Sequence, residues 1–238
     1  MFSVDDYIQN LLRTSNYQPT LDDQNKLKCL GLESWILSKL MSKKFRKTKA
    51  EAECIERTKL AVKRAVSRNL PLPVYFFQGA YKLWRLPSSP EADWAEFFNI
   101  SYLLEYVAPI ANIYKPGLNL VYYMHTLLME AHDNLTTKEI NDYINSFNKL
   151  IKIFRSYCPS NISIEILKDA DIYPREEYFE ELEHGLKQAI TIYESFPEDK
   201  KNDFIRMSKL NIKWKGKERW DLLLENEKQE KIYKSALY

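Results

Sequence analysis

Pro71-Leu72-Pro73-Val74-Tyr75-Phe76-Phe77 opens the part of the chain that decides the fold. The run is short, apolar and aromatic, and turn residues bound it, with prolines before and Gly79 and Pro87-Ser88-Ser89-Pro90 after. A continuous apolar run of this length reads as a buried strand. Two more strands follow. Leu118 to Met124 forms the second, and Ile162, Ile164 and Ile166, alternating with polar residues, form the third. Helical patterns fill the gaps. One starts near Glu91 and runs through Trp94, Phe97, Ile100, Leu103, Leu104 and Val107 until Tyr114-Lys115-Pro116-Gly117 stops it. The other opens on Thr136 and Glu139, the spacing of a capping box, and carries Ile140, Tyr143, Ile144, Phe147, Ile151 and Phe154. Strands alternating with helices at this spacing predict parallel pairing with right-handed crossovers. The fold class expected is therefore α/β, a small Rossmann-like, mainly parallel sheet flanked by helices.

Outward from this core the chain reads as helical on both sides. Residues 1–70 form an N-terminal helical segment packed on the core. It has a short helix framed by Ser3 and Asp6, a longer one from Thr20 through Leu40, and a third opened by a Thr48–Glu51 capping box and ending near Asn69. Residues 71–238 hold the α/β core and its C-terminal helices, and the two parts are read as one structural unit. The region from Arg175 to Tyr238 is helical and strongly charged.

Composition excludes several classes of protein. Of 238 residues, 45% are hydrophobic and 29% charged, which is too apolar for disorder. No apolar stretch approaches the roughly 18 residues of a membrane-spanning helix. The five glycines lie at least 31 residues apart, so no Gly-rich dinucleotide fingerprint, P-loop or Gly-framed nucleophile elbow is present. Three widely spaced cysteines, Cys29, Cys54 and Cys158, give neither a disulfide framework nor a zinc ribbon. Together with an acidic opening, Met1-Phe2-Ser3-Val4-Asp5-Asp6, that lacks a secretory pattern, they predict a cytoplasmic protein.

Ligands of open parallel sheets bind beyond the carboxyl ends of the strands, and this rule ranks the candidates. The connection after the first strand carries Tyr81, Lys82 and Arg85, and the helix after it opens with Asp93-Trp94-Ala95-Glu96. Lys82 and Arg85 suit a phosphate or carboxylate, or are surface residues. Asp93 and Glu96, three apart, share one helical face. They either hold an amine and relay protons or favour the positive end of their own helix. The second strand ends at His125, an acid/base candidate by its position and because imidazoles exchange protons near neutrality. His125 and His132 match no specific metal motif, and no metal or cofactor is expected. Sixteen tyrosines allow an aromatic pocket, though tyrosine is also an ordinary strand and core residue.

Leu72-Pro73-Val74-Tyr75-Phe76-Phe77, then Lys82, then Asp93-Trp94-Ala95-Glu96, then Ile113-Tyr114-Lys115-Pro116-Gly117 before a strand together resemble the isonitrile synthase or pyoverdine/dityrosine biosynthesis family, over roughly residues 70–170. Two departures stand out. Met124-His125-Thr126 replaces that family's Ser-Asp-Gly-like turn, and its Pro-Phe/Ala-Lys-Ser run is missing from the first strand. The resemblance implies a metal-independent biosynthetic transferase that joins an amino-acid amine to a ketose phosphate and converts the amine to an isonitrile. On that reading Lys82 and Arg85 meet the sugar phosphate, Asp93 and Glu96 orient the amine and move protons, and Tyr81, Tyr114 and Lys115 shape the substrate pocket.

Two alternatives stay open. One is a different transferase acting on a phosphorylated donor. The other is a nucleic-acid-binding protein. Residues 26–70 hold 13 Lys/Arg against 4 Asp/Glu, with Phe45 or Trp35 available for stacking. Residues 171–198 hold 2 against 8, so charge of this kind also suits solvated or self-complementary helix faces.

Overall fold

The computed structural model describes residues 4–15, 17–42, 50–78, 91–133, 135–214 and 222–227. Four helices come first: α1 (Val4–Thr14), α2 (Leu21–Leu30), α3 (Leu32–Leu40) and α4 (Ala52–Arg68). The core follows as β1 (Leu72–Gln78), α5 (Trp94–Ile113), β2 (Leu118–Met124), α6 (Thr126–Asp133), α7 (Thr137–Arg155) and β3 (Ile162–Lys168). A 3-10 turn (Asp169–Asp171), α8 (Arg175–Glu194) and α9 (Glu198–Trp214) complete it. The three strands form a parallel sheet in the order β1-β2-β3, flanked by helices.

Strand order runs in one direction without reversal, so right-handed crossovers place both connections on the same face of the sheet. Packing agrees with this. Tyr122 of β2 meets Phe147 of α7 edge-on with ring centroids 5.1 Å apart, and Gln78 of β1 donates to the Tyr143 hydroxyl of α7 at 3.0 Å. Phe97 of α5 packs on Phe154 of α7 at 5.2 Å. Leu118, Leu120, Tyr122 and Met124, at successive even positions of β2, are all buried. β1 is not the buried strand that its composition predicts. It alternates, with Tyr75 57% and Phe77 75% exposed, because it is an edge strand whose successive side chains point to opposite faces. Pro73 fits there, since an edge strand has one unpaired row of backbone groups.

By internal contacts the chain forms two compact units. One comprises Met1–Phe76, Ala92–Val121 and Asn148–Glu165; the other comprises Phe77–Glu91, Tyr122–Phe147 and Ile166–Tyr238. Helices α1–α4 belong to the first unit together with α5.

In the first unit the turn before β2 is fixed by a close backbone approach. Gly117 has φ +79°, and a Cβ there would lie 1.8 Å from the Asn161 carbonyl oxygen. That oxygen accepts from Leu118 N at 3.0 Å, while Asn161 Nδ2 donates to the carbonyls of Ala111 and Lys115 at 2.8 and 3.1 Å. Only glycine satisfies both the conformation and the space. Gly117→Ala is expected to destabilise the protein by about 3 kcal/mol or more, read by urea denaturation.

The helix expected from Thr20 through Leu40 is divided at Gly31, whose φ of +76° ends α2 and starts α3. Thr20 and Asp23 form a reciprocal capping box at the start of α2. The turn lets Lys39 of α3 reach Asp23, at 2.9 Å, with both side chains largely buried. Thr48 lies outside the described residues, and α4 starts after Glu51 without a side-chain cap. Burial alone would raise the Asp23 carboxyl, but hydrogen bonds from Lys39 and Thr20 outweigh it and hold it below its ordinary 3.8. A folded value below the unfolded one stabilises fully above 3.8, and that contribution is lost as pH falls through the lower folded value. Asp23→Asn is therefore expected to cost about 1–3 kcal/mol at neutral pH. The gap to the parent should close during acid titration below 3.8, and a constant gap would contradict the pairing.

Candidate functional site

The carboxyl ends of β2 and β3 carry the most chemistry in the second unit. His125 follows the last residue of β2, and α6 begins at the next position. Its ring stacks on Phe77 with centroids 5.6 Å apart and planes 8° from parallel, and meets Tyr123 edge-on at 4.9 Å. Phe77 and Tyr123 also meet edge-on, at 5.8 Å. The imidazole is thus oriented by two aromatic rings while remaining partly accessible.

β3 ends at Lys168, and Asp169 follows it, fully buried at 0% exposure. Its carboxylate accepts from the Thr126 hydroxyl at 2.6 Å, from Leu127 N at 3.1 Å and from Ala170 N at 2.8 Å. Thr126 and Leu127 belong to the first turn of α6, whose backbone N–H groups have no partner within the helix and favour an anion. The Asp169 carbonyl in turn accepts from the backbone N–H of Tyr173 at 2.9 Å.

Beside these strand ends lies a cavity of about 700 Å³, lined by Tyr123, His125, Tyr173, Tyr178 and, from α8, Glu177, Glu180 and Glu181. The three glutamates fall at i, i+3 and i+4, which puts them on one helical face. Burial, then the charge of Asp169, then neighbouring Tyr173 push the Tyr123 hydroxyl up, so it stays a neutral donor. Arg175, at the start of α8, pairs with Glu130 of α6 at 2.6 Å and lies over the Phe179 ring. Those contacts fasten the helix that carries the glutamates. Chemically the cavity offers aromatic faces, a negative rim and one imidazole, a combination that attracts an organic ammonium group.

Of the residues singled out in the sequence, His125 lines this cavity. Lys82, Arg85 and Tyr81 lie outside the described residues. Asp93 and Glu96 belong to the first unit and build a reciprocal helix cap. Asp93 Oδ1 accepts from Ala95 N at 2.8 Å, and Glu96 Oε2 accepts from Asp93 N at 2.8 Å. The helix-end reading of these carboxylates is the one that the geometry supports, since each answers N–H groups that the first turn of α5 leaves open. Tyr114 is buried, its hydroxyl within 2.9 and 2.7 Å of the Ala65 and Leu70 carbonyls, so it anchors the end of α4 instead of lining a pocket. Lys115 precedes β2, at the amino end of the strand, opposite the end where ligands of parallel sheets bind.

Tyr173, Tyr178 and Asp169 were not among the sequence candidates. The signal for Asp169 is an acidic residue directly after the third strand, at the end of the sheet where ligands bind.

Among the described residues no group of three His, Cys, Asp or Glu side chains could hold a metal. His132 lies on α6, but its side chain is outside the described part. Cys29, Cys54 and Cys158 are free thiols. No described helix is long and apolar enough to cross a membrane.

In the basic stretch, Trp35 is fully buried and cannot stack on a base, and Phe45 lies outside the described residues. Lys26, Lys39, Arg57 and Lys59 pair with Asp22, Asp23, Glu53 and Glu56. Much of the described positive charge is therefore matched within the helices. Compared with protein-family models, with curated proteins and with solved structures, the chain matches none.

The cap reading makes a direct prediction. Asp93→Ala should lower stability by about 1 kcal/mol, seen as a reduced urea midpoint at unchanged m-value.

Proposed function

We propose that the chain is a small-molecule biosynthetic enzyme of the isonitrile-synthase type, using its sheet as Rossmann-like enzymes do, with the substrate held beyond the strands' carboxyl ends. The observation that carries this reading is the cavity in which His125 stands among Tyr123, Tyr173 and Tyr178, with three glutamates of α8 at the rim. An aromatic amino acid presents a flat ring and an ammonium group, which tyrosine faces and carboxylates accommodate.

Joining that amine to a ketose phosphate requires the ammonium to lose a proton before its nitrogen attacks the carbonyl carbon. The resulting carbinolamine then expels water to give the imine. One imidazole can serve both steps, accepting the first proton and returning one to the departing hydroxyl. His125 is assigned that role. The substrate's own carboxylate and the sugar phosphate need cations, and Lys82 and Arg85, on the connection after β1, are the proposed partners. Asp93 and Glu96, which the resemblance makes amine-orienting and proton-moving groups, take part in the helix cap and are not assigned a step here. A reducing, cytoplasmic setting suits an enzyme with three unpaired thiols. Another transferase using a phosphorylated donor would share the loop cations and differ only in what the imine becomes.

Incubation of the purified protein with L-tyrosine or L-tryptophan and a pentulose phosphate, followed by mass spectrometry, tests the reading. An isonitrile product is expected, with turnover reduced about 10²–10⁴-fold in His125→Gln. Absence of any amine-derived product, or equal turnover in His125→Gln, would overturn it.

A further inference from the structure

The cavity's walls come from two different strand ends, and one buried residue, Asp169, is bonded to the chain leaving each. His125 and Tyr123 belong to the β2 end, whereas Tyr173 follows β3 by five residues. The β2–β3 ladder spaces the strands themselves and ends at Met124 and Lys168. Beyond it Asp169 links the two exits, its carboxylate reaching Thr126 and Leu127 while its carbonyl accepts from Tyr173 N.

We propose that Asp169 is a positioning residue that sets His125 of the β2 end and Tyr173 of the β3 end at a fixed spacing across the cavity. The inference rests on reading that cavity as the ligand site.

A carboxylate with no exposed surface costs several kcal/mol to bury unless its lone pairs are met. Here Oδ1 alone accepts from a hydroxyl and two backbone N–H groups, and Oδ2 lies 3.3 Å from Leu127 N. Such bonds to an ionised acceptor are shorter and stronger than neutral ones, so they hold Thr126 tightly. Thr126 is one peptide unit from His125, about 3.8 Å between Cα atoms, which leaves the imidazole's backbone little freedom. A shorter or apolar side chain at 169 would leave the α6 donors unmet and free the β2 exit from the β3 exit, while the backbone bond from Tyr173 N to the residue 169 carbonyl stays. The Arg175–Glu130 pair also joins α6 to α8, downstream of both residues, but its arginine is 60% exposed and such a pair holds weakly.

The test separates position from charge and from global stability. Histidine ring resonances of ring-labelled full-length protein are recorded for Asp169→Ala, Asp169→Asn and Thr126→Val, and tyramine is titrated into each. In Asp169→Ala the His125 resonances should shift and tyramine affinity should fall about ten-fold. The exposed His184 of α8 and the helical circular dichroism should stay unchanged. Asp169→Asn keeps the shape, and its side-chain oxygen at the Oδ1 position can still accept from the Thr126 hydroxyl, Leu127 N and Ala170 N. It should stay within about three-fold of the parent. Thr126→Val, which removes one of the bonds, should shift His125 in the same direction as Asp169→Ala by less.

Unmoved His125 resonances and an affinity within two-fold of the parent in Asp169→Ala would overturn the inference. So would a loss in Asp169→Asn as large as in Asp169→Ala. Should Asp169→Ala fail to fold, Thr126→Val decides, and an unmoved His125 there also overturns it. A parent protein that does not bind tyramine would count against the amine-site reading, while the His125 resonances would still decide the role of Asp169.

Discussion

A buried anion must be met by donors, and Asp169 finds them on chain that leaves a neighbouring strand. Its carboxylate sits where β3 ends, and besides its neighbour Ala170 N the groups that meet it are the hydroxyl of Thr126 and the N–H of Leu127, in the first turn of α6, where β2 has just ended. Parallel strands bring their carboxyl ends to one edge of the sheet, and helix N-termini follow there, which makes this edge the natural place for an anion. The cavity, the orientation of His125 and the start of α8 all follow from how these two exits are joined.

Much of the architecture was legible in the sequence because the determining signals are local. Leu118–Met124 and Ile162–Lys168 announce their strands by apolar runs and alternation, and Thr136 with Glu139 forms the box that its spacing predicts, with Thr136 N donating to Glu139 at 2.7 Å. The exposed odd face of β1 was not legible. Tyr75 and Phe77 are as apolar as core residues, and it is the strand's place at the edge of the sheet that leaves them in solvent. Gly31 divided a helix that the apolar spacing ran through, since periodicity says little about a single residue with positive φ.

The candidate site was only partly legible, for a related reason. Asp93 and Glu96 stand at a spacing that serves catalysis and helix capping equally well, and hydrogen-bond geometry favours the cap. Tyr114 precedes a glycine turn in a way that suggests a pocket wall, yet its hydroxyl reaches carbonyls at the end of α4. His125 was found because its position at a strand end is a topological fact. Tyr173, Tyr178 and the glutamates of α8 come from the C-terminal helical region, and no spacing in the sequence relates them to His125.

The functional account turns on whether the aromatic and acidic cavity receives an amine. A crystal structure of the full-length protein soaked with L-tyrosine addresses this most directly. The account predicts ligand density in that cavity, with the amino nitrogen turned toward the α8 glutamates within reach of His125 and the ring against a tyrosine face. Tyrosine bound elsewhere, or an empty cavity at saturating ligand, would contradict it.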